Sequence, residues 1–424
     1  MKPLNILITT SYYWPEGAGS APYLTGLAEY LSARGHHVVV ATTFPHYPDW
    51  RSNANGRLMF AETRAGVRVR RRWTYVPRRQ SVAHRALYEA TLYAFGLTAL
   101  PMVPRPDVVI GTCPSLASGA LAVTASRICR APYGLIFQDL MGLAAAQSGI
   151  ARGGQVASAV RRAELALARG AQRIALIAEG FRAYFEEGGM DPERIVRLRN
   201  WTRRAEPSET ADQTRARFGW EMDEFVCLHG GNMGQKQGLD NLLETAALLR
   251  GERVRIVLAG DGNDRLRLQA KAKELDLDNV EFVELQGPGR WEEIMQAADV
   301  LLVNQRPSVS DMSLPSKLTS YFAAGRPVVA AASAESETQR EIEAARAGYV
   351  VPPDDPVAFK EAILSLKQEP EIAAAVSANA LRYATDTLSS ETILLEYEDF
   401  VARIAVKTHG RRARLRARRQ SSRV

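Results

Sequence analysis

At 424 residues the chain is too long for one ordinary core, so two domains are expected. Hydrophobic residues at 46% and charged residues at 24% are globular values and exclude a disordered or fibrous chain. Lys and Arg number 54 against 47 Asp and Glu, a net charge of +7, and the three cysteines (Cys113, Cys129, Cys227) lack metal spacing, as expected of a reduced protein without structural disulfides.

The first apolar run, residues 4–9 (L-N-I-L-I-T), reads as a buried parallel strand. Lys2 precedes it, but no small-residue cleavage site follows, so it does not read as a secretory signal. A loop at 12–20 (Y-Y-W-P-E-G-A-G-S), a helix over 21–34, Gly35 and a strand over 38–42 complete a βαβ unit. The same grammar recurs with strands at 108–110, 133–137 and 174–177, which predicts one doubly wound domain over residues 1–200. The uncharged run 108–126 has the length of a membrane span. Its internal Gly111, Pro114, Ser115, Ser118 and Gly119 fit a strand, a turn and a buried helix better.

The polar segment 202–214 reads as a linker, after which the pattern restarts. Strands are expected at 225–229, 255–259, 280–283, 300–303 and 328–330, with helices over 239–250, 266–275 and 290–297. The 239–250 helix places Leu239, Leu242, Leu243, Ala246 and Leu249 on one face. This is a second doubly wound domain, residues 215–385. Helices follow Pro356, and a last helix, within 386–410, is expected to pack back across the domain boundary. Residues 411–424 read as a basic, disordered tail.

Open α/β sheets bind ligands at their strand carboxyl ends. Three Gly-rich loops lie there: Gly17/Gly19, Gly230/Gly231/Gly234 and Gly260/Gly262. None fits G-x-G-x-x-G with a suitably placed acid, and no G-x-x-x-x-G-K-[ST] occurs, which disfavours classical NAD binding and P-loop chemistry. The stretch 310–329 (S-D-M-S-L-P-S-K-L-T-S-Y-F-A-A-G-R-P-V-V) follows a strand, opens a helix at Pro315 and closes it at Gly325. A helix N-terminus with Lys317 in its first turn suits a phosphate, although an ordinary capped surface helix has the same grammar. Asp276-Leu277-Asp278 spells a D-x-D metal motif but ends a helix, so no metal is expected there.

Taken in order, these segments resemble a known family. They are W-P-E-G-A-G-S, F-P-H-Y-P-D-W at 44–50, Q-D-L at 138–140, R-N-W at 199–201 and H-G-G-N-M-G-Q-K-Q-G-L at 229–239, then A-G-D-G, A-A-D-V-L-L-V, P-S-K-L, A-A-G-R-P-V-V-A and G-Y-V-V-P-P-D-D-P. The chain resembles glycosyltransferase family 4 of the GT-B fold over residues 4 to 360, closest to the fucosyl- or N-acetylfucosaminyl-type transferases of colanic acid and O-antigen assembly. The resemblance implies an α/β architecture of two doubly wound, Rossmann-like domains facing a cleft. It implies retaining transfer from a nucleoside diphosphate sugar, GDP- or UDP-linked, to a glycan or polyprenyl-diphosphate-linked acceptor, with no obligatory metal and no cofactor.

Carried over residue by residue, the resemblance implies catalytic roles for Asp139 and Lys317. Donor contacts would come from Gly17, Gly19, Gly231, Asn232, Gly234, Lys236, Asp311, Ser313, Ser316 and Ser320. His46 and Tyr47 would lie on the acceptor side. Bland readings stand beside these. The glycines also suit turns with positive φ, Lys236 suits a solvated helix start, Asp139 an N-cap, and His46 a packing role. Two departures are evident: the family's two glutamates fall on Met312 and Ser320, and its Gly-Arg on Gly231-Asn232. Asp311, one position from Met312, is a candidate substitute for the first. A nucleotide-sugar epimerase of the same fold, or a catalytically silent nucleotide-sugar-binding membrane scaffold, remain alternatives.

No acidic residue occurs between Glu62 and Glu89, an interval holding eight arginines from Arg64 to Arg85 with Trp73, Tyr75 and Tyr88 among them, followed by the apolar run 86–102. Such a pattern suits an anionic membrane surface, with the 411–424 tail, Arg411 to Val424, adding to the attraction. No specific nucleic-acid partner is expected. The expected location is cytoplasmic, peripheral at the inner membrane face.

Overall fold

A computed structural model of the protein describes residues 2–17, 19–78, 81–113, 115–146, 153–202, 206–284, 286–287, 289–307, 317–334 and 336–421. They form two compact units: Met1–Arg199 together with Ile393–Val424, and Asn200–Thr392.

The first unit is an eight-stranded sheet: β1 (Asn5–Thr9), β2 (His37–Thr43), β3 (Met59–Arg64), β4 (Val67–Arg72), β5 (Val108–Cys113), β6 (Tyr133–Phe137), β7 (Arg173–Leu176) and β8 (Ile195–Arg197). Its order is β3-β4-β2-β1-β5-β6-β7-β8, and every pairing is parallel except β3 with β4. Helices α1 (Ala21–Ala33), α2 (Val82–Leu97), α3 (Leu116–Cys129), α4 (Met141–Ala146), α5 (Gly153–Arg169) and α6 (Arg182–Glu186) belong to it. Strands covered on both faces must be apolar throughout. In β5 and β6 every residue is buried.

The second unit contains α7 (Ala211–Phe218), β9 (Phe225–Gly230), α8 (Asp240–Leu248), β10 (Val254–Ala259), α9 (Arg265–Glu274), β11 (Val280–Val283), α10 (Arg290–Ala297), β12 (Val300–Asn304), α11 (Lys317–Ala324), β13 (Val328–Ala331), α12 (Glu337–Ala345), β14 (Gly348–Val351), α13 (Pro356–Gln368) and α14 (Pro370–Asp386). Its six strands are all parallel in the order β11-β10-β9-β12-β13-β14, the dinucleotide-fold order with its switch point between β9 and β12. Helix α15 spans Ser390–Ser421, and from Ile393 its residues fall within the first unit. There Glu398 bonds Tyr30, Arg34 and His36.

The structure corrects several expectations. The arginine-rich interval contains an unpredicted hairpin, β3–β4, whose alternation was hidden because Arg71 continues the buried face of Val67 and Val69 while Arg72, on the opposite face, is buried as well. Both are buried. Arg71 pairs with Glu62 and donates to the carbonyls of Thr43 and Trp14. Arg72 donates to Thr98 Oγ1. These two arginines therefore cannot meet a membrane. The apolar run 86–102, expected to be helix-like, does form helix, in α2 and a short 3-10 turn at Leu100–Met102. Helix α15 runs on through residues 411–421, the segment expected as a tail, where Arg, Ala and Leu all favour helix. The 202–214 segment includes the start of α7, where Thr210 forms a capping box with Gln213 and Ser208 bonds Glu293.

Candidate active site

In the second unit the functional side chains gather at the switch point. β9 ends in Gly230, and the chain turns at Gly231, whose φ of +110° suits only glycine without strain. The next loop packs backbone to backbone. Gly231 donates to the Ala259 carbonyl (2.8 Å), and Met233 to that of Asp261 (2.8 Å). A Cβ on Gly260 or Gly262 would run into the main chain of Gly231 or Met233. Asn304, fully buried at the end of β12, donates through Nδ2 to the carbonyls of Gln237 (2.7 Å) and Gly238 (2.9 Å), and its Oδ1 accepts from Asn241 (2.8 Å). Arg306 donates its N–H to the Lys236 carbonyl (3.3 Å). The Lys236 loop is thus held by the neighbouring strand end.

Below this loop lies a cation without a paired carboxylate among the described residues. Lys317, at the start of α11, places Nζ 3.4 Å from Nε2 of the buried His229. His229 Nδ1 lies 3.2 Å from the Leu302 carbonyl, which accepts only if Nδ1 carries the proton, so Nε2 is left as an acceptor for Lys317. Burial lowers the Lys317 pKa to about 7. Burial, then the Lys317 charge, holds His229 well below the usual imidazole range. One turn on from Lys317, the buried Tyr321 accepts the Gly230 N–H (2.8 Å). A desolvated lysine gains most from an arriving anion, which restores its charged form.

The first unit has its own switch point, between β1 and β5. Glu16 ties the loops after β1 and β2 together. Its Oε1 accepts the backbone N–H of His46 and of Tyr47 (both 2.8 Å), and its Oε2 accepts that of Tyr13 (3.0 Å). Burial pushes this carboxyl upward, against the pull of those donors. The Tyr47 ring lies over Gly19, where a Cβ would approach Cε1 to 3.2 Å at a φ of +61°. His46 is buried: Nδ1 lies 2.9 Å from the Phe44 carbonyl and Nε2 3.2 Å from the Tyr88 hydroxyl. Burial lowers its pKa to about 4.

The predicted residues therefore fall into groups. Glu16 brings Gly17, Gly19, His46 and Tyr47 together, with Tyr47 half-buried and His46 enclosed. Asp139 is half-buried beyond β6, its Oδ1 accepting the Leu140 N–H (2.9 Å). The N-terminus of α4 is capped instead by the buried Glu164, which accepts from Met141 (2.8 Å) and from the Tyr184 hydroxyl. In the second unit Gly231, exposed Asn232, Gly234 and exposed Lys236 share one loop, with Lys317 and half-buried Ser320 on α11. Asp311, Ser313 and Ser316, like Met312 and Pro315, lie outside the described residues. Asp276 and Asp278 follow α9, away from the strand carboxyl ends, as their helix-end position implied. Sequence reading overlooked Glu16, His229, Asn304 and Tyr321. Glu16 and His229 stood inside quoted motifs, and the four-residue spacing of Tyr321 from Lys317 was a signal for one helix face.

Comparison with known proteins gives a consistent result. Residues 18–201 match the family described as glycosyl transferase 4-like domain, and residues 210–383 that of glycosyl transferases group 1. The chain is 28% identical to the protein named as colanic acid biosynthesis glycosyl transferase WcaI of Escherichia coli strain K12, over 93% of this chain and 98% of that one. Among solved structures, sucrose-phosphate synthase of Thermosynechococcus elongatus superposes with a TM-score of 0.75 at 18% identity, covering 95% of this chain and 99% of its own. Anabaena Alr3699/HepE in complex with UDP gives 0.69 at 17% identity, covering 94% and 100%.

Proposed function

This chain belongs to the glycosyltransferases of the GT-B fold, with a 4-like and a group 1 domain, and from that we propose that it moves a sugar from a nucleoside diphosphate sugar, with retention, onto a lipid-linked glycan in bacterial surface polysaccharide assembly. The observation that carries this reading is Lys317 above neutral His229, beneath the glycine turn that ends β9. Negative charge develops on the departing diphosphate, and a preorganised cation with close backbone N–H groups stabilises it. Gly231, Gly234 and Lys236 line the same loop, and Asn304 holds that loop in place. The similarity to WcaI and the UDP held by HepE support a surface-polysaccharide role and a nucleotide donor. The proposed site of action is the cytoplasmic membrane face, where such an acceptor resides.

A thermal-shift screen against GDP, UDP and dTDP and their sugars tests it. At least one diphosphate is expected to raise the melting temperature by several degrees at a concentration about a hundred times its Kd. Lys317→Ala is expected to weaken that ligand at least tenfold, and Ser320→Ala much less. No shift with any diphosphate, or the reverse order of the two variants, would sink the reading. Slow donor hydrolysis separates an enzyme from a silent scaffold, and formation of a C2 epimer from UDP-GlcNAc alone would favour the epimerase.

A further inference from the structure

The solvent face of α2 carries no charge. Its exposed positions Ala83, Ala86, Leu87, Ala90 and Ala94 recur at helical spacing and form one apolar stripe, preceded by exposed Val82. A surface helix ordinarily presents polar residues there.

The stripe has a neighbour. β3 is the sheet edge; its last residue, Arg64, pairs with Glu29 of α1 (2.9 Å), while its first three, Met59 to Ala61, are exposed. Leu58, Met59 and Phe60 are 58%, 59% and 36% exposed. Met59 faces Arg72 across the ladder, and the Arg72 guanidinium reaches Met102 Sδ (3.2 Å) and Thr98 Oγ1 (2.8 Å) at the end of α2. Met102 is itself 53% exposed. The strand edge and the helix stripe thus meet around Arg72. An uncovered apolar edge is an aggregation hazard unless something covers it.

The surrounding charge says what. From residue 63 to residue 138 the chain has eleven arginines and two carboxylates, Glu89 and Asp107. Both carboxylates are engaged inward, Glu89 by Ser115 and Ala117 and Asp107 by Asn5. Arg68, Arg78, Arg105, Arg127 and Arg130 are exposed. Arg105 donates to the Cys129 carbonyl (3.3 Å), which places it beside Ile128, 66% exposed. A second copy meeting this face would bring like charges together. Lipid phosphates would not.

We propose that α2, the β3 edge and Met102 form a docking surface for an anionic lipid bilayer, with the apolar stripe in the interface and the surrounding arginines on lipid phosphates. The proposal deepens the reading of a lipid-linked acceptor and rests on it. It replaces Arg71 and Arg72, which are buried, with an apolar face as the contact. Among the described residues no helix is long and apolar enough to cross a membrane. Each arginine near such a surface adds roughly fivefold to binding.

The test is co-sedimentation of the full chain with vesicles of phosphatidylglycerol and phosphatidylcholine, beside vesicles of phosphatidylcholine alone. The wild-type protein is expected to pellet with the anionic vesicles and to be released by high salt. The double variant Leu87→Asp, Ala90→Asp is expected to lose at least tenfold in apparent affinity, as is Arg105→Glu, Arg127→Glu. Both are expected to keep wild-type circular dichroism and donor-sugar hydrolysis, which need no membrane. The proposal is overturned if the α2 variant pellets like wild type, if wild type ignores anionic vesicles, or if the α2 variant instead splits a dimer in light scattering. A protein inactive on every donor sugar that still binds vesicles through α2 supports the surface and overturns glycosyl transfer instead.

Discussion

At the scale of single residues, Lys317 is the most informative side chain. Burial holds its pKa near 7, far below the ordinary lysine value, while an anion beside it raises that value again. Binding of a donor sugar, whose diphosphate does not titrate near neutrality, then requires proton uptake above pH 7. Affinity is expected to be level below about pH 6 and to fall by up to tenfold per unit above pH 7, measured by calorimetry. Lys317→Arg is expected to flatten that fall. The same shift bears on stability. The pKa is depressed relative to the unfolded chain, so this contribution is full at high pH and is lost as pH falls through the unfolded lysine range toward 7. Lys317→Met is accordingly expected to melt a few degrees higher at neutral pH while losing diphosphate binding, a trade of stability against function.

At the scale of elements, loops are positioned by buried side chains bonded to their backbone. Glu16 is the clearest case, receiving three backbone N–H groups from two loops. Glu16→Gln keeps the size but turns an amide N–H toward one of those donors. The expected result is a loss of about 1–3 kcal/mol in denaturant unfolding, and faster proteolysis within 44–53. A variant with unchanged stability and unchanged cleavage would mean the loops are held elsewhere. Asn304 plays the matching part in the second unit, since its amide spans the carbonyls of Gln237 and Gly238. Such roles are hard to read from sequence because an Asn or Glu at a strand end looks the same whether it serves a ligand or a loop.

At the scale of the whole molecule, the C-terminal helix belongs to the unit that contains the N-terminus. Its Phe400 and Ile404 press on Gly134 in β6, where a Cβ would collide with Ile404 Cδ1. Gly134→Ala is expected to destabilise the first unit by about 1–3 kcal/mol through overpacking. Truncation after Thr392 is expected to lower the melting transition of the first unit and leave that of the second in place, seen as two resolved calorimetric transitions. A single unchanged transition in the truncated chain would show the helix to be dispensable.

Hydrophobic runs and glycine punctuation were enough to place most parallel strands and the start of the second sheet, because a strand buried on both faces must be apolar throughout. The ordered motifs around Gly231, Lys236 and Lys317 were enough to point to a glycosyltransferase. The sequence could not reveal that Arg71 and Arg72 face inward, since an arginine whose partners are the Thr43 and Trp14 carbonyls or Thr98 is spelled like one in solvent. Nor could it show that His229 sits under Lys317, a pairing between the end of β9 and the start of α11 made across 88 positions. Local pattern sets which segments become strands and helices. Which side chains meet, and how far burial shifts their protons, depends on non-local packing and is decided only in the folded chain.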